Sequence, residues 1–458
     1  MAAPSDHDFS RLNIGKPSIA RSDAIYERAV RIIPAGTQTF SKGTTQFVKG
    51  FAPKYVASGV GGRVMDVDGN VFVDHIMGCH AINLGYTDPD VNAAVIEQLQ
   101  LGSTFGLPTE LEVEVSELIV ETVPCAEAVR FGKNGADATG VAVRIARAVT
   151  GRDHVAFCGY HGWHDWFIAT TDLNSGIPAF NQELAHSFTF NDLNSLEKIF
   201  QAHPNAVACV IMEPLTVPEP ENDFLAEVKK MAHAHGALLV FDEVITGFRF
   251  AVGGAQELTG VIPDMAAFAK GVSNGVPLSA ITGRKEYLHA LEKTFFSFTY
   301  GGECIGLAAA KATIEKIRRE QVPNHLWRIG RRLKEEVNKL AETHGVDEFL
   351  QCVGYPCRSV VQIDGAGRFE SLEIKSFIQQ ELLRRGVLWA AYHALCYAHT
   401  DEDIEVTLSA YDGAFAEFRK AVESNRPLRG FIEGEPVQPV FRKVTDFNAH
   451  IQQAGRPD

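Results

Sequence analysis

Between about residues 88 and 310 the chain repeats one pattern: a short apolar run, a longer stretch with helical spacing, then another apolar run. The runs are residues 128–131, 154–158, 206–211 and 237–241. Each is too short for a helix, and the last three are too uniformly apolar for a strand wetted on one face, so they read as strands buried on both sides. The stretches between them carry helix punctuation. Pro89 suits a first helical position and Gly102 a helix end, around the apolar repeat Val91, Val95, Ile96 and Leu99. After Gly135 the repeat Val141, Val143, Ile145 and Ala148 stops at Gly151, and a further helix is expected near 224–235. Buried strands alternating with helices are joined by crossovers and lie parallel. The fold class expected is α/β with a mostly parallel sheet.

After about Arg318 the pattern changes to charged helices, such as Arg331-Arg332-Leu333-Lys334-Glu335-Glu336, followed by the strand-like run 359–363. A chain of 458 residues exceeds what one core usually serves. We therefore expect an N-terminal segment over 1–70 that packs with a small domain, a large domain over 71–320, and a smaller α+β domain with a tail over 321–458. The stretch after Asn425 holds four prolines and weak periodicity, which suits a segment wrapping the surface. Gly59-Val60-Gly61-Gly62 and Asp66-Val67-Asp68-Gly69 read as hairpin turns, not as a dinucleotide fingerprint.

Forty-three basic against 57 acidic residues give a formal charge of −14, which opposes binding to a phosphate backbone. Nucleic acid is not an expected partner. The start Met1-Ala2-Ala3-Pro4-Ser5-Asp6 lacks the basic and apolar regions of a secretory signal, so a cytoplasmic location is expected. The longest apolar stretch, about 386–398, is too short for a membrane span and contains His393. Eight scattered cysteines, without paired CxxC spacing, read as buried thiols.

Asp242 closes an apolar strand, where open α/β sheets place ligand contacts. Lys270 closes another apolar run, 267–269, twenty-eight positions later. A lysine there can snorkel to the surface, or it can serve as a desolvated, nucleophilic amine that forms an imine with an aldehyde. Gly132-Lys133-Asn134-Gly135-Ala136-Asp137-Ala138 is a small-residue turn into a helix, whose backbone N–H groups and dipole suit a phosphate. It lacks the Gly-Lys-Ser/Thr ending of a nucleotide-triphosphate loop. Tyr160-His161-Gly162-Trp163-His164-Asp165 follows the next strand and offers aromatic faces for a cofactor ring. Two histidines without a clear third ligand are a weak metal signal, and no metal is expected.

Taken in order, these stretches resemble the class III aminotransferases of fold type I, in the branch that contains glutamate-1-semialdehyde aminomutase. The resemblance rests on Val129-Arg130-Phe131 through Ala148, Tyr160-His161-Gly162, Met212-Glu213-Pro214, Asp242-Glu243-Val244-Ile245-Thr246-Gly247-Phe248-Arg249, Phe268-Ala269-Lys270-Gly271 and Thr299-Tyr300-Gly301-Gly302. A further match is 398–404. It implies a pyridoxal 5'-phosphate (PLP) cofactor held as a Schiff base by Lys270, with Asp242 paired to the pyridine nitrogen so that the ring acts as an electron sink. It also implies Tyr160 on one ring face, Val244 against the other, the backbone of Gly135 and Ala136 at the phosphate, and a homodimer in which Thr299 completes the neighbouring subunit's phosphate site. Glu213 and Arg249 match positions near the pocket, where a structural pairing is an equal reading. The activity implied is ping-pong transamination, in which Lys270 is both nucleophile and general acid/base.

The chain also departs from the family pattern. Asn134-Gly135-Ala136 stands where Ser-Gly-Thr is usual, so two hydroxyls are missing and phosphate binding leans on backbone N–H groups. Lys42 aligns with an aminomutase arginine that grips the substrate carboxylate, and a lysine cannot form the same bidentate fork. Residues 390–397 lack the glutamate of the corresponding aminomutase segment. These departures favour a two-substrate aminotransferase, acting from an amino donor to a small polar carbonyl acceptor that could be carbohydrate-derived. Intramolecular transfer of the aminomutase kind is the near alternative, and an inactive PLP-binding protein the remote one.

Overall fold

The computed structural model describes residues 8–424 and 426–439. The end of the tail, 440–458, and residues 1–7 lie outside the described residues. The described residues form two compact units, one within 8–88 and 325–439, the other 89–324.

The second unit is built on seven strands: β1 (Ala128–Gly132), β2 (His154–Cys158), β3 (Ala185–Ser187), β4 (Val207–Met212), β5 (Leu238–Asp242), β6 (Met265–Phe268) and β7 (Ser279–Gly283). Their order across the sheet is β1-β7-β6-β5-β4-β2-β3. Neighbours from β6 to β3 run parallel, whereas β7 is antiparallel to both β1 and β6. Every residue of β4 and β5 is buried, as their continuous apolar runs require. The reversal of β7 is not legible in residues 279–283, because side-chain alternation is the same for either strand direction.

The longest helices between these strands are α1 (Gly135–Thr150), α2 (Leu193–Ala202) and α3 (Phe224–Ala234). Asn134 and Asp137 form a capping box at the start of α1, and Gly151 ends it in the left-handed conformation with φ 66°. Its buried face includes Ala138, Ala142 and Ala146, small residues that let the helix lie close to the sheet.

The helix Pro89–Leu101 forms, but of its apolar repeat only Val91 is buried, while Ile96 is 57% and Leu99 58% exposed. The pattern identified the helix correctly, yet a single chain leaves most of that face uncovered.

In the first unit Val56–Val60, Arg63–Asp66 and Val71–Asp74 form consecutive hairpins, with turns at the glycine clusters noted above. Val71–Asp74 then pairs in parallel with Val387–Leu388. A second sheet joins Leu350–Tyr355, Arg358–Ile363 and Tyr392–Ala394. The tail does more than wrap the surface: Leu428, Ile432 and Val437 are buried, and the Val437 N–H donates to Ser376 Oγ at 2.9 Å. No helix among the described residues is long and apolar enough to cross a membrane.

Candidate functional site

Strands β2, β4, β5 and β6 are parallel neighbours, so the segments leaving them emerge at the same sheet edge. Those segments carry Tyr160, Glu213, Asp242 and Lys270. The end of β1 lies level with them, since Gly132 pairs with Ser279 while Phe268 pairs with Ala280. The start of α1 therefore belongs to the same edge. A Cβ built on Gly135 would lie 3.0 Å from Val244 Cγ1 and 3.7 Å from Ala269 Cβ. The turn expected to hold phosphate, the second residue after Asp242 and the residue before Lys270 thus meet.

Asp242 is 5% exposed and its two carboxylate oxygens have separate partners. Oδ1 accepts the Val244 N–H at 3.0 Å, and Oδ2 lies 2.8 Å from His161 Nδ1. The fully buried His161 ring stacks on Trp166 with centroids 6.0 Å apart. Its backbone carbonyl accepts the Thr139 hydroxyl of α1 at 2.7 Å. His161 is the residue that sequence reasoning missed. With His164 it gives only a weak metal signal in the sequence, and the structure turns it toward Asp242 and sets His164 3.9 Å from Asp137. Its place beside Tyr160 in a motif shared with the family was the available signal.

Lys270 is half-buried and opens the short turn Lys270–Ser273, separated from β6 by Ala269 alone. Its φ of 50° is uncommon for a residue with a side chain, and backbone strain of this kind collects at working sites. Tyr160 is 37% exposed; its N–H donates to Glu213 Oε1 at 2.9 Å, and its ring meets Phe167 edge-on. Glu213 thereby seats the Tyr160 loop. The same loop approaches α1 closely: Gly162 has φ 99°, and a Cβ there would stand 2.6 Å from the Ala136 Cβ. Arg249 is fully buried. Glu243, next to Asp242, is turned inward and accepts from Thr246, Ala255 and Gln256. Burial pushes its carboxyl upward, against the opposing effect of those hydrogen bonds. Burial, followed by the Glu213 charge, likewise raises the Cys158 thiol, so it offers no ready thiolate.

The donor set suits PLP. At the start of α1, Asp137 Oδ2 accepts the Lys133 and Asn134 N–H groups at 2.9 and 2.7 Å. The first N–H groups of α1, at Gly135 and Ala136, have no acceptor within the helix and stand at its positive end. These groups offer an anion seat without the missing hydroxyls. Thr299 lies exposed on a turn. Its neighbours Phe298 and Tyr300 help line a cavity of about 680 Å³ together with Lys133, Asn134, Trp163 and His164.

The family model described as aminotransferase class-III matches residues 49–394. A 3-aminobutyryl-CoA aminotransferase of Cloacimonas acidaminovorans is 35% identical over 88% of this chain and 99% of its own length. A glutamate-1-semialdehyde 2,1-aminomutase of Halorubrum lacusprofundi is 32% identical over 85% of this chain and 98% of its own. Among solved structures, the PLP form of the FumI protein of Sphingopyxis sp. MTA144 superposes with a TM-score of 0.83 at 29% identity, covering 90% of this chain and 99% of that one.

Proposed function

Since the chain belongs to the class-III aminotransferases, PLP-dependent enzymes of fold type I, we propose that it transfers an amino group between two separate small molecules in a ping-pong cycle. The observation that carries the residue assignment is the meeting of the Gly135 turn with Val244 and Ala269 at the edge holding Asp242.

In this reading Lys270 would hold the cofactor through Nζ. PLP, when bound, supplies an electron-withdrawing ring that stabilises charge on a substrate carbon. Asp242 would face the ring nitrogen, its carboxylate oriented by His161 and the Val244 N–H. The N–H groups of Gly135 and Ala136, at the start of α1, would take the phosphate. Tyr160 would cover one ring face and Val244 the other. With the cofactor in place, the freed Lys270 Nζ would carry a proton from the donor's amine-bearing carbon to the cofactor carbon in the first half-reaction, and from the cofactor carbon to the acceptor's carbon in the second.

The proposal includes a homodimer in which Thr299 of one subunit completes the phosphate site of the other. Exposed apolar residues support it: Ile96, Leu99 and Leu101 on one helix, and Phe295, Phe298 and Tyr300 beside Thr299. Transfer between two molecules is favoured by the 35% identical aminotransferase and by Lys42 at the aminomutase arginine position. The acceptor we propose is a small polar carbonyl compound. The 32% identical aminomutase supports intramolecular transfer as the second reading.

The test is an amino-donor screen of the holoenzyme, following loss of its visible absorption as the first half-reaction proceeds. Recovery of the absorption on adding a carbonyl compound identifies the acceptor class. Efficient conversion of glutamate-1-semialdehyde to 5-aminolevulinate without a separate donor would overturn the two-substrate reading.

A further inference from the structure

Three histidines converge at the opposite edge of the same sheet. His154 begins β2, His186 sits in the edge strand β3, and His203 follows the last residue of α2 just before β4. Register explains the first two: Ala156 pairs with His186, and His154 lies two residues before Ala156 on the same strand face. The third is fixed by the return of α2 to the start of β4, where the His154 N–H donates to the Ala206 carbonyl at 3.0 Å. His154 Nδ1 lies 2.8 Å from His186 Nε2. The His203 ring stacks on both partners, with centroids 4.4 Å from His154 and 4.1 Å from His186. One ring nitrogen from each residue falls in a group whose members all lie within 4.8 Å of one another.

We propose that His154, His186 and His203 form a binding site for a divalent transition-metal ion of the zinc type. Three imidazole nitrogens are the donor set that such borderline ions favour, and magnesium or calcium would need oxygen ligands that the three do not supply. Binding requires only that the shared His154–His186 proton move to an outward ring nitrogen. All three rings are half-buried, which leaves a fourth position open to water. The site lies at the strand starts, whereas Asp242 ends β5 and Lys270 follows β6, so it stands apart from the residues proposed to hold PLP. It ties the three-residue edge strand β3 to β2 and to the turn entering β4.

The experiment uses untagged, chelator-treated holoenzyme and titrates Zn²⁺ alone by calorimetry and thermal denaturation. One Zn²⁺ per chain is expected, with a rise in Tm as the ligand binds the folded state. His186→Ala and His203→Ala should each weaken binding by more than about tenfold and remove the Tm rise while leaving transaminase turnover unchanged. Co²⁺ alone should give visible d–d absorption in the wild-type chain, a readout that stands even if either variant folds poorly. Absence of binding, binding unchanged in both variants, or an equal Tm rise with Mg²⁺ would overturn the proposal.

Discussion

Replacing His161 by leucine tests how Asp242 is held. The carboxylate is almost fully buried, with Oδ2 facing His161 Nδ1 at 2.8 Å and Oδ1 facing the Val244 N–H at 3.0 Å. Leucine removes the first donor and leaves the second. A hydrogen bond to a buried charged group contributes about 1.5–3 kcal/mol, twice or more the neutral kind. If that loss falls on the step in which Asp242 faces the cofactor ring, kcat/KM drops by about 10- to 150-fold. His161→Asn provides the control, because the asparagine amide can place an N–H close to where Nδ1 stood. It should recover most of the activity even though it fills the space beside Phe157, Phe167 and Trp166 poorly. Steady-state kinetics with a fixed donor and acceptor, paired with thermal melts, separates orientation from packing. A leucine variant with near-normal kcat/KM and a lowered Tm would show that His161 only packs, and an asparagine variant as slow as leucine would refute the donor argument.

Lys270→Ala should eliminate cofactor that borohydride fixes to the chain; covalent label surviving at another lysine, read by peptide mass mapping, would remove Lys270 from its role. Gly162→Ala forces a Cβ to 2.6 Å from the Ala136 Cβ at φ 99°, so a loss of about 1–3 kcal/mol and faster release of PLP on dialysis are expected. In the first unit, burial pushes His393 down to about 3 and His399 to about 4, and both are neutral when folded. Unfolding lets them take protons, so their contribution is whole above about pH 6.5 and declines as pH falls toward about 4, at up to about 1.4 kcal/mol per pH unit for each. Urea midpoints that stay flat between pH 7 and 5 would contradict this. For the dimer, Thr299→Ala should weaken PLP retention without altering subunit mass by light scattering, and full activity in a monomer at high dilution would dismiss the shared site.

Much of this protein is legible in local sequence because burial on both faces forces a distinct composition. The apolar runs ending in Asp242 and before Lys270 could only be interior strands, and the small-residue turn at Gly135 announced a helix start with free N–H groups. Those features fixed the α/β class and the residues worth testing. Direction, order and partnership were decided elsewhere. Residues 279–283 run antiparallel between β1 and β6, and Val71–Asp74 finds its partner in Val387–Leu388, more than three hundred residues later. The His161–Asp242 pair, 81 residues apart, and the grouping of His154, His186 and His203 exist only once strand register is set. A short-range pattern records which face of a segment avoids water, but not which distant segment covers that face; that choice belongs to the packed sheet.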